Sequence, residues 1–137
     1  MAQLERDIFI AASPDAVWSI CGGIAAVGDW LPSAEGVRVE GNVRHVALDG
    51  GRGEIAERIT LESEEEHRSE YEKVGEDGPL RVYRARFWVE AEGDGSRVHW
   101  AAEIEPGDGV GEDELLAGVG ASYESGLDNL RRLAEEG

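Results

Sequence analysis

The chain has 137 residues, 41% of them hydrophobic, a composition that predicts one compact domain over residues 1–137 and excludes a disordered chain. Its 30 acidic and 13 basic residues give a formal net charge of −17, which repels phosphate backbones and argues against a nucleic-acid partner. No apolar run approaches the roughly 18 residues of a membrane span, and the charged N-terminus does not resemble a signal peptide, so we expect a soluble, cytoplasmic protein without membrane insertion.

The first elements are an extended segment and two short helices. Apolar residues alternate from Leu4 to Ile10, which predicts a strand. Ser13 is a suitable N-cap and Pro14 fits the first position of a helix that ends at the glycine pair 22–23. A further helical turn is expected before Pro32, because proline disfavours helix at the residue that precedes it.

Residues 37–106 show short alternating segments separated by turn residues, and no helical period interrupts them. We predict six strands at residues 37–40, 43–49, 53–62, 67–74, 80–92 and 96–105. Such a run of hairpins followed by one long helix is typical of an α+β domain whose sheet curls around that helix.

Strand alternation assigns side chains to the face of the sheet that looks at the helix. The expected inward residues are Val46, Leu48, Ile55, Glu57, Ile59, Leu61, Ser69, Tyr71, Lys73, Tyr83, Ala85, Phe87 and Val89. The last strand has two possible registers: alternation alone directs Val98 and Trp100 inward, whereas a β-bulge would present His99 instead.

The C-terminal segment predicts a helix from about residue 111 to about 134, with acidic residues in its first turn. Beside its large apolar residues runs a row of small ones at Gly118, Ser122 and Gly126. Because glycine inside a helix costs about 1 kcal/mol relative to alanine, the row indicates either a close contact or open space. Ala85 is expected opposite this row, and small residues facing small residues favour a cavity over a filled core.

Several local strings share their order and spacing with one known family. They are IFIAASPDAVW, DWLP, GNVRHVALDGG followed by EIAERITLE, GPLRVYRARFWVE, SRVHWAAEIEP and GLDNLRRL, which together cover nearly the whole chain. In these features the chain resembles the START-like, helix-grip superfamily, also called SRPBCC, in its polyketide cyclase/dehydrase branch. The resemblance implies a seven-stranded, curved antiparallel sheet wrapped around the long C-terminal helix, two short helices after the first strand, and an apolar cavity.

The same branch is similar to plant abscisic-acid receptors, whose cavity is closed by two loops. Their gate loop corresponds to residues 49–53 and their latch loop to Gly78, Pro79 and Leu80, while their pocket glutamate and tyrosine fall on Glu57 and Tyr83. The Ser-Gly-Leu-Pro sequence of the gate, the His-Arg pair of the latch and the lysine that receives the hormone are absent. A gated pocket is therefore expected, but hormone reception is not.

Two residues are candidates for catalysis. Glu57 is an ionisable group directed at the interior, where it could be a general base, an anchor for a polar ligand group, or a structural partner of Tyr83 or Lys73. His99 could act as an acid or a base, although a single histidine on a strand is more often a hydrogen-bonded structural residue. No spacing of His, Cys, Asp and Glu predicts a metal site, and no cofactor is predicted.

Three functions remain open from the sequence. The first is binding of a hydrophobic or aromatic small molecule by a protein that is a monomer or a weak homodimer; the second is a polyketide cyclase or dehydratase that uses the same cavity; the third is a protein-interaction domain with a filled core. The predicted ligand-binding residues are Leu48, Ile59, Tyr71, Lys73, Leu80, Tyr83, Ala85, Phe87, Trp100, Gly118, Ser122 and Gly126.

Overall fold

A computed structural model describes all residues, 1–137, as one sheet with three helices. The strands are β1 (Ala2–Ile10), β2 (Ala34–Glu40), β3 (Val43–Leu48), β4 (Glu54–Ser63), β5 (Arg68–Lys73), β6 (Leu80–Glu92) and β7 (Gly95–Pro106). The helices are α1 (Pro14–Cys21), α2 (Val27–Trp30) and α3 (Glu112–Glu136), and a turn of 3-10 helix covers Asp49–Gly51. The predicted α+β class and helix-grip architecture are confirmed.

All seven strands form one antiparallel sheet in the order β1-β7-β6-β5-β4-β3-β2. Consecutive strands from β2 to β7 are neighbours, and β1 returns to pair with β7. This order places the N-terminal strand beside the C-terminal one and leaves β2 and β1 as the two edges.

Short-range signals define α1 as predicted. The Ser13 side chain accepts a hydrogen bond from the Ala16 amide at 3.2 Å, and Pro14 occupies the first turn, where its missing N–H costs nothing. The helix buries Val17, Trp18 and Cys21. Burial raises the pKa of the Cys21 thiol to about 12, so this cysteine acts as a small hydrophobic residue of the core.

The long helix α3 begins after Gly111, which offers no side-chain cap, and acidic residues 112–114 compensate the helix dipole instead. Its C-terminal half packs into the core through Leu127, Leu130 and Ala134, all of them buried. Each leucine buried there contributes about 1.5–3 kcal/mol through removal of apolar surface from water.

Alternation predicts the inner face of β6 and β7 correctly. Tyr83, Ala85, Phe87 and Val89 are buried, as are Val98 and Trp100 on the neighbouring strand. In β4 the expectation fails at Leu61, which is 37% exposed. The pairing with β5 shifts register between Ile59 and Leu61, and such an irregularity turns the following side chains away from the core.

Candidate functional site

A cavity of about 300 Å³ lies between the sheet and the N-terminal half of α3. Its sheet wall comes from β3 to β7, and the segment after α2 closes a further side with Leu31 and Ser33. Its apolar lining consists of Val27, Leu31, Val46, Leu48, Ile55, Pro79, Leu80, Leu115 and Val119, together with the aromatic Tyr71, Tyr83, Trp100 and Tyr123. The exposed residues Arg52, Pro79 and Glu114 form the rim, whereas Arg44, Glu57 and the aromatic residues are buried at the inner end.

The inner end contains a buried ion pair. Arg44 and Glu57 lie directly opposite each other on β3 and β4, and Arg44 Nε donates to Glu57 Oε1 at 2.9 Å. Arg44 also donates through Nη1 to the Ile24 carbonyl at 3.2 Å, and its guanidinium lies 4.5 Å from the centre of the Tyr71 ring. Because each side chain is less than 10% exposed, solvent cannot stabilise the two charges, and each charge is compensated by the other.

Burial raises the pKa of Glu57, and the adjacent Arg44 guanidinium opposes that rise. Burial is the largest effect on Arg44 and disfavours its charged form, but the attraction of Glu57, its hydrogen bond and the neighbouring Tyr71 and Tyr83 together outweigh burial and raise the Arg44 pKa. Since an arginine stays protonated in proteins, Arg44 keeps its charge and Glu57 is the group of this pair whose proton occupancy can change.

The three tyrosines of the chain meet in one hydrogen-bonded row. The Tyr71 and Tyr83 hydroxyls are 3.3 Å apart, and the Tyr83 hydroxyl is also hydrogen-bonded to that of Tyr123 on α3. Trp100 Nε1 donates to the Tyr71 hydroxyl at 2.9 Å, and its indole ring stacks on Tyr123 with ring centres 3.7 Å apart. Burial raises the pKa of Tyr71 to about 12 and also raises the pKa values of Tyr83 and Tyr123 well above 10, so all three are neutral at physiological pH.

Two loops, residues 49–53 and the loop between β5 and β6, contribute residues to the rim of the cavity. Residues 49–53 include three glycines with positive φ, and Arg52 in this loop is paired with Asp49. The loop between β5 and β6 is held by Lys73, whose Nζ donates to the carbonyls of Gly75 and Asp77 at 3.0 and 2.8 Å. The predicted gate and latch segments therefore lie beside the cavity through Arg52, Pro79 and Leu80.

The family model described as "Polyketide cyclase / dehydrase and lipid transport" matches residues 1–135. The chain belongs to this family. The resemblance to the START-like superfamily is thereby confirmed, and no curated protein matches the chain in sequence.

Several solved structures share the fold of this chain. XoxI from Bacillus cereus is 28% identical, with a TM-score of 0.89 over 97% of this chain and 95% of that one. The ZhuI aromatase/cyclase from Streptomyces sp. R1128 has 18% identity and a TM-score of 0.83, covering 98% and 94% of the two chains. A START superfamily protein from Mycobacterium smegmatis has 14% identity and a TM-score of 0.82, covering 98% and 97%. Because the last two proteins are less than 25% identical to this chain, their structural similarity shows a shared fold and nothing about function.

Eight of the residues predicted from the sequence line the cavity of this family member. They are Leu48, Glu57, Tyr71, Leu80, Tyr83, Trp100, Gly118 and Ser122. Ser122 donates to or accepts from the Ser33 hydroxyl at 3.0 Å, which links α3 to the segment after α2. At Gly118 a Cβ would have no neighbour within 4 Å, so this glycine borders open space.

Four other predicted binding residues belong to the packed core or its edge. Ala85 and Phe87 are buried on β6, and half-buried Ile59 packs against the core, but none of these three borders the cavity. At Gly126 a Cβ would lie 2.6 Å from Leu31 Cδ1. The small row on α3 is therefore divided along the helix axis: its first two members border the cavity, and Gly126 permits a close contact.

Two polar residues have different roles from those predicted. Lys73 lies opposite Glu57 in the sheet register, but its ammonium group holds the β5–β6 loop, and Glu57 is satisfied by Arg44 instead. His99 is directed to the outer face of the sheet, since β7 pairs regularly there and contains no bulge. Its Nε2 is 2.8 Å from Glu90 Oε1, and its ring stacks on Trp88 with ring centres 4.7 Å apart, so His99 does not border the cavity.

Arg44 is the main polar residue that the sequence reasoning missed. It is in phase with Val46 and Leu48 on the same strand, so the alternation that placed those two inward also placed Arg44 inward. Tyr123 joins the hydroxyl row from α3, and the sequence contains no local signal for such a row. No three His, Cys, Asp or Glu side chains are grouped so that they could hold a metal ion, and no helix combines the length and apolar character needed to cross a membrane.

Proposed function

We propose that the protein binds an apolar or aromatic small molecule in the cavity between the sheet and α3. The observation that carries the proposal is the character of the cavity wall, which is mainly aliphatic and aromatic, with an ion pair and the tyrosine hydroxyls at its inner end. Small-molecule sites typically have this composition and volumes of about 300–1,000 Å³. The apolar wall supplies affinity, and the polar end fixes the orientation of the guest.

The comparisons are consistent with this proposal. The description of the family includes lipid transport, and the ZhuI structure is that of an aromatase/cyclase. Both activities need a cavity that accepts a largely apolar molecule. In this chain the aliphatic side would be provided by Leu48 and Leu80, while Tyr83 and Glu57 would orient the polar part of the ligand.

Native mass spectrometry of the protein purified from its own host tests the proposal. We expect a bound small molecule in the wild type and its loss in Gly118→Leu, which adds a large side chain at an exposed glycine of the cavity lining. Ala121→Leu is the matched control, because it adds an apolar side chain at an exposed position of the same helix. The same spectra report whether the protein is a monomer or a weak homodimer.

Two results would contradict the proposal. One is a folded Gly118→Leu variant that retains the same ligand as the wild type. The other is a wild-type protein that carries no small molecule and takes up none from an extract of its host, which would favour the protein-interaction role.

A second function, that of a cyclase or dehydratase, is favoured by one observation: Glu57 Oε2 makes no hydrogen bond although the residue borders the cavity. A carboxylate so placed could remove a proton α to a carbonyl, the step that an aldol cyclisation needs. The ion pair with Arg44 weakens this base, because the guanidinium stabilises the ionised carboxylate.

Exchange of the methyl protons of an aryl methyl ketone in deuterated water separates the two functions. An enzyme of this kind would accelerate exchange at the α carbon, and Glu57→Gln would abolish the acceleration. If the wild-type protein binds the ketone but does not accelerate its proton exchange, binding is supported and the cyclase function is not.

A further inference from the structure

The three tyrosine hydroxyls carry more protons than the two hydrogen bonds between them use. Each of the three hydroxyls carries one proton, but only two hydroxyl–hydroxyl bonds join Tyr71, Tyr83 and Tyr123. The third polar contact, from Trp100 Nε1, uses the indole proton and occupies an acceptor site on Tyr71. Whichever direction the row takes, one tyrosine O–H makes neither of these two bonds; when it belongs to Tyr71 or Tyr123, its only acceptor in the row is the more distant hydroxyl at the other end. All three tyrosines border the cavity, so this donor is available to a guest.

The inner end is also electrically balanced. The charged residues that line the cavity are Arg44, Arg52, Glu57 and Glu114. Arg44 and Glu57 neutralise each other in the buried part, while Arg52 and Glu114 are exposed at the rim, where solvent screens them. A carboxylate carried into the inner end would lose its hydration and approach Glu57, and no unmatched positive charge there would compensate it.

From this arrangement we infer that the cavity selects a neutral molecule with an acceptor oxygen, such as an aromatic ketone, and rejects the carboxylate of the same shape. The inference rests on the proposed binding function and specifies its ligand class. The spare tyrosine donor would bond to the ketone oxygen. The third nitrogen of the Arg44 guanidinium, Nη2, makes no hydrogen bond within the protein and could donate a second hydrogen bond to that oxygen.

Three planar probes of nearly equal size test the selection: 2-acetylnaphthalene, 2-isopropenylnaphthalene and 2-naphthoate, compared by equilibrium dialysis at neutral pH, where the acid is ionised. In an apolar cavity without a spare donor the alkene would bind best, because the ketone oxygen must give up water. We expect the ketone to bind at least as tightly as the alkene and the carboxylate to bind at least about tenfold more weakly than the ketone.

Replacing Glu57 by Gln sharpens the test, since it leaves Arg44 with a hydrogen-bond acceptor but without a countercharge. The affinity for the carboxylate, relative to that for the ketone, is then expected to rise at least about tenfold. Glu72→Gln is the matched control, because it makes the same change of charge on β5 beside Arg58, on the outer face of the sheet. It should leave all three affinities unchanged.

The outcomes separate this inference from the function on which it rests. If none of the three probes binds, the proposed function itself fails for molecules of this class. If they bind but the alkene exceeds the ketone by about tenfold or more, or the carboxylate matches the ketone in the wild type, binding stands and the selection is wrong. The order of the three affinities is measured on the wild-type protein, so it tests the selection even if Glu57→Gln does not fold.

Discussion

Among single residues, the buried Arg44–Glu57 pair carries the largest expected effect on stability. Replacing Arg44 by Met leaves an uncompensated carboxylate inside the protein, and the loss of one partner of a buried pair costs about 3–5 kcal/mol. Replacing both residues by Met should cost much less, because no buried charge remains. Urea unfolding of the two variants measures the difference.

The control for this prediction is Arg58→Met, which breaks the ion pair with Glu72 at 3.5 Å on the opposite face of the same sheet. Because both of its partners are substantially exposed, the expected cost is at most about 1 kcal/mol. An Arg44→Met variant no less stable than Arg58→Met would mean that Glu57 takes up a proton or finds water without penalty.

The tyrosine row predicts a loss of stability in alkali. An unfolded tyrosine ionises near pH 10, whereas burial raises the pKa of Tyr71 to about 12 and those of Tyr83 and Tyr123 well above 10. Above about pH 10 the unfolded chain therefore binds fewer protons than the folded protein, and the free energy of unfolding falls as the pH rises. Below that pH these three groups contribute no pH dependence.

Because the chain has only these three tyrosines, phenolate absorbance reports on the row alone. We expect ionisation to coincide with the loss of the folded circular dichroism signal, and the protein in urea to titrate near pH 10 as the reference. Reversible titration of any tyrosine near that pH in the folded protein would show that the row is open to solvent.

Single residues also show where sequence reasoning about the site succeeds and where it ends. Alternation along a strand is local, so Glu57 and Tyr83 could be placed on the inner face without a structure. The partner of Glu57 is a matter of pairing between strands: Lys73 and Arg44 lie opposite it on its two sides, and only the positions of their charged groups decide between them. The choice of register for His99 likewise depended on whether β7 contained a bulge.

At the scale of elements, two of the three glycines of α3, Gly118 and Gly126, have opposite expected effects on stability when each is replaced by alanine. A Cβ at Gly118 meets nothing within 4 Å, so Gly118→Ala should stabilise the protein by about 0.5–1 kcal/mol through helix propensity. A Cβ at Gly126 would lie 2.6 Å from Leu31 and 3.1 Å from Trp30, so Gly126→Ala should lose up to about 2 kcal/mol despite the same gain in propensity.

Thermal and urea unfolding of the two alanine variants provide the measurement, and each serves as the control for the other. An equal gain at both positions would show that the contact at Gly126 relaxes freely. The order and approximate limits of the elements were predictable, because caps, turns and periods are local. The division of α3 into a packed half and a half that borders the cavity was not, since it depends on where Trp30 and Leu31 meet the helix.

At the scale of the whole molecule, the net charge of −17 predicts that added salt stabilises the fold. Two exposed acidic groups, Glu64–Glu66 in the β4–β5 turn and Glu112–Glu114 at the start of α3, form no salt bridge, so their mutual repulsion is uncompensated in the folded state. Raising the salt from about 10 mM to 1 M shortens the screening length from roughly 30 Å to 3 Å and should raise the melting temperature.

The two acidic groups provide an internal control for this prediction. Changing Glu64, Glu65 and Glu66 to Gln should raise the melting temperature at low salt and reduce its salt dependence, because these charges only repel one another. The same change at Glu112–Glu114 should stabilise less or destabilise, since these charges also favour the N-terminal end of the helix dipole. A wild-type melting temperature that does not rise with KCl would show that arginine pairing already balances the acidic surface.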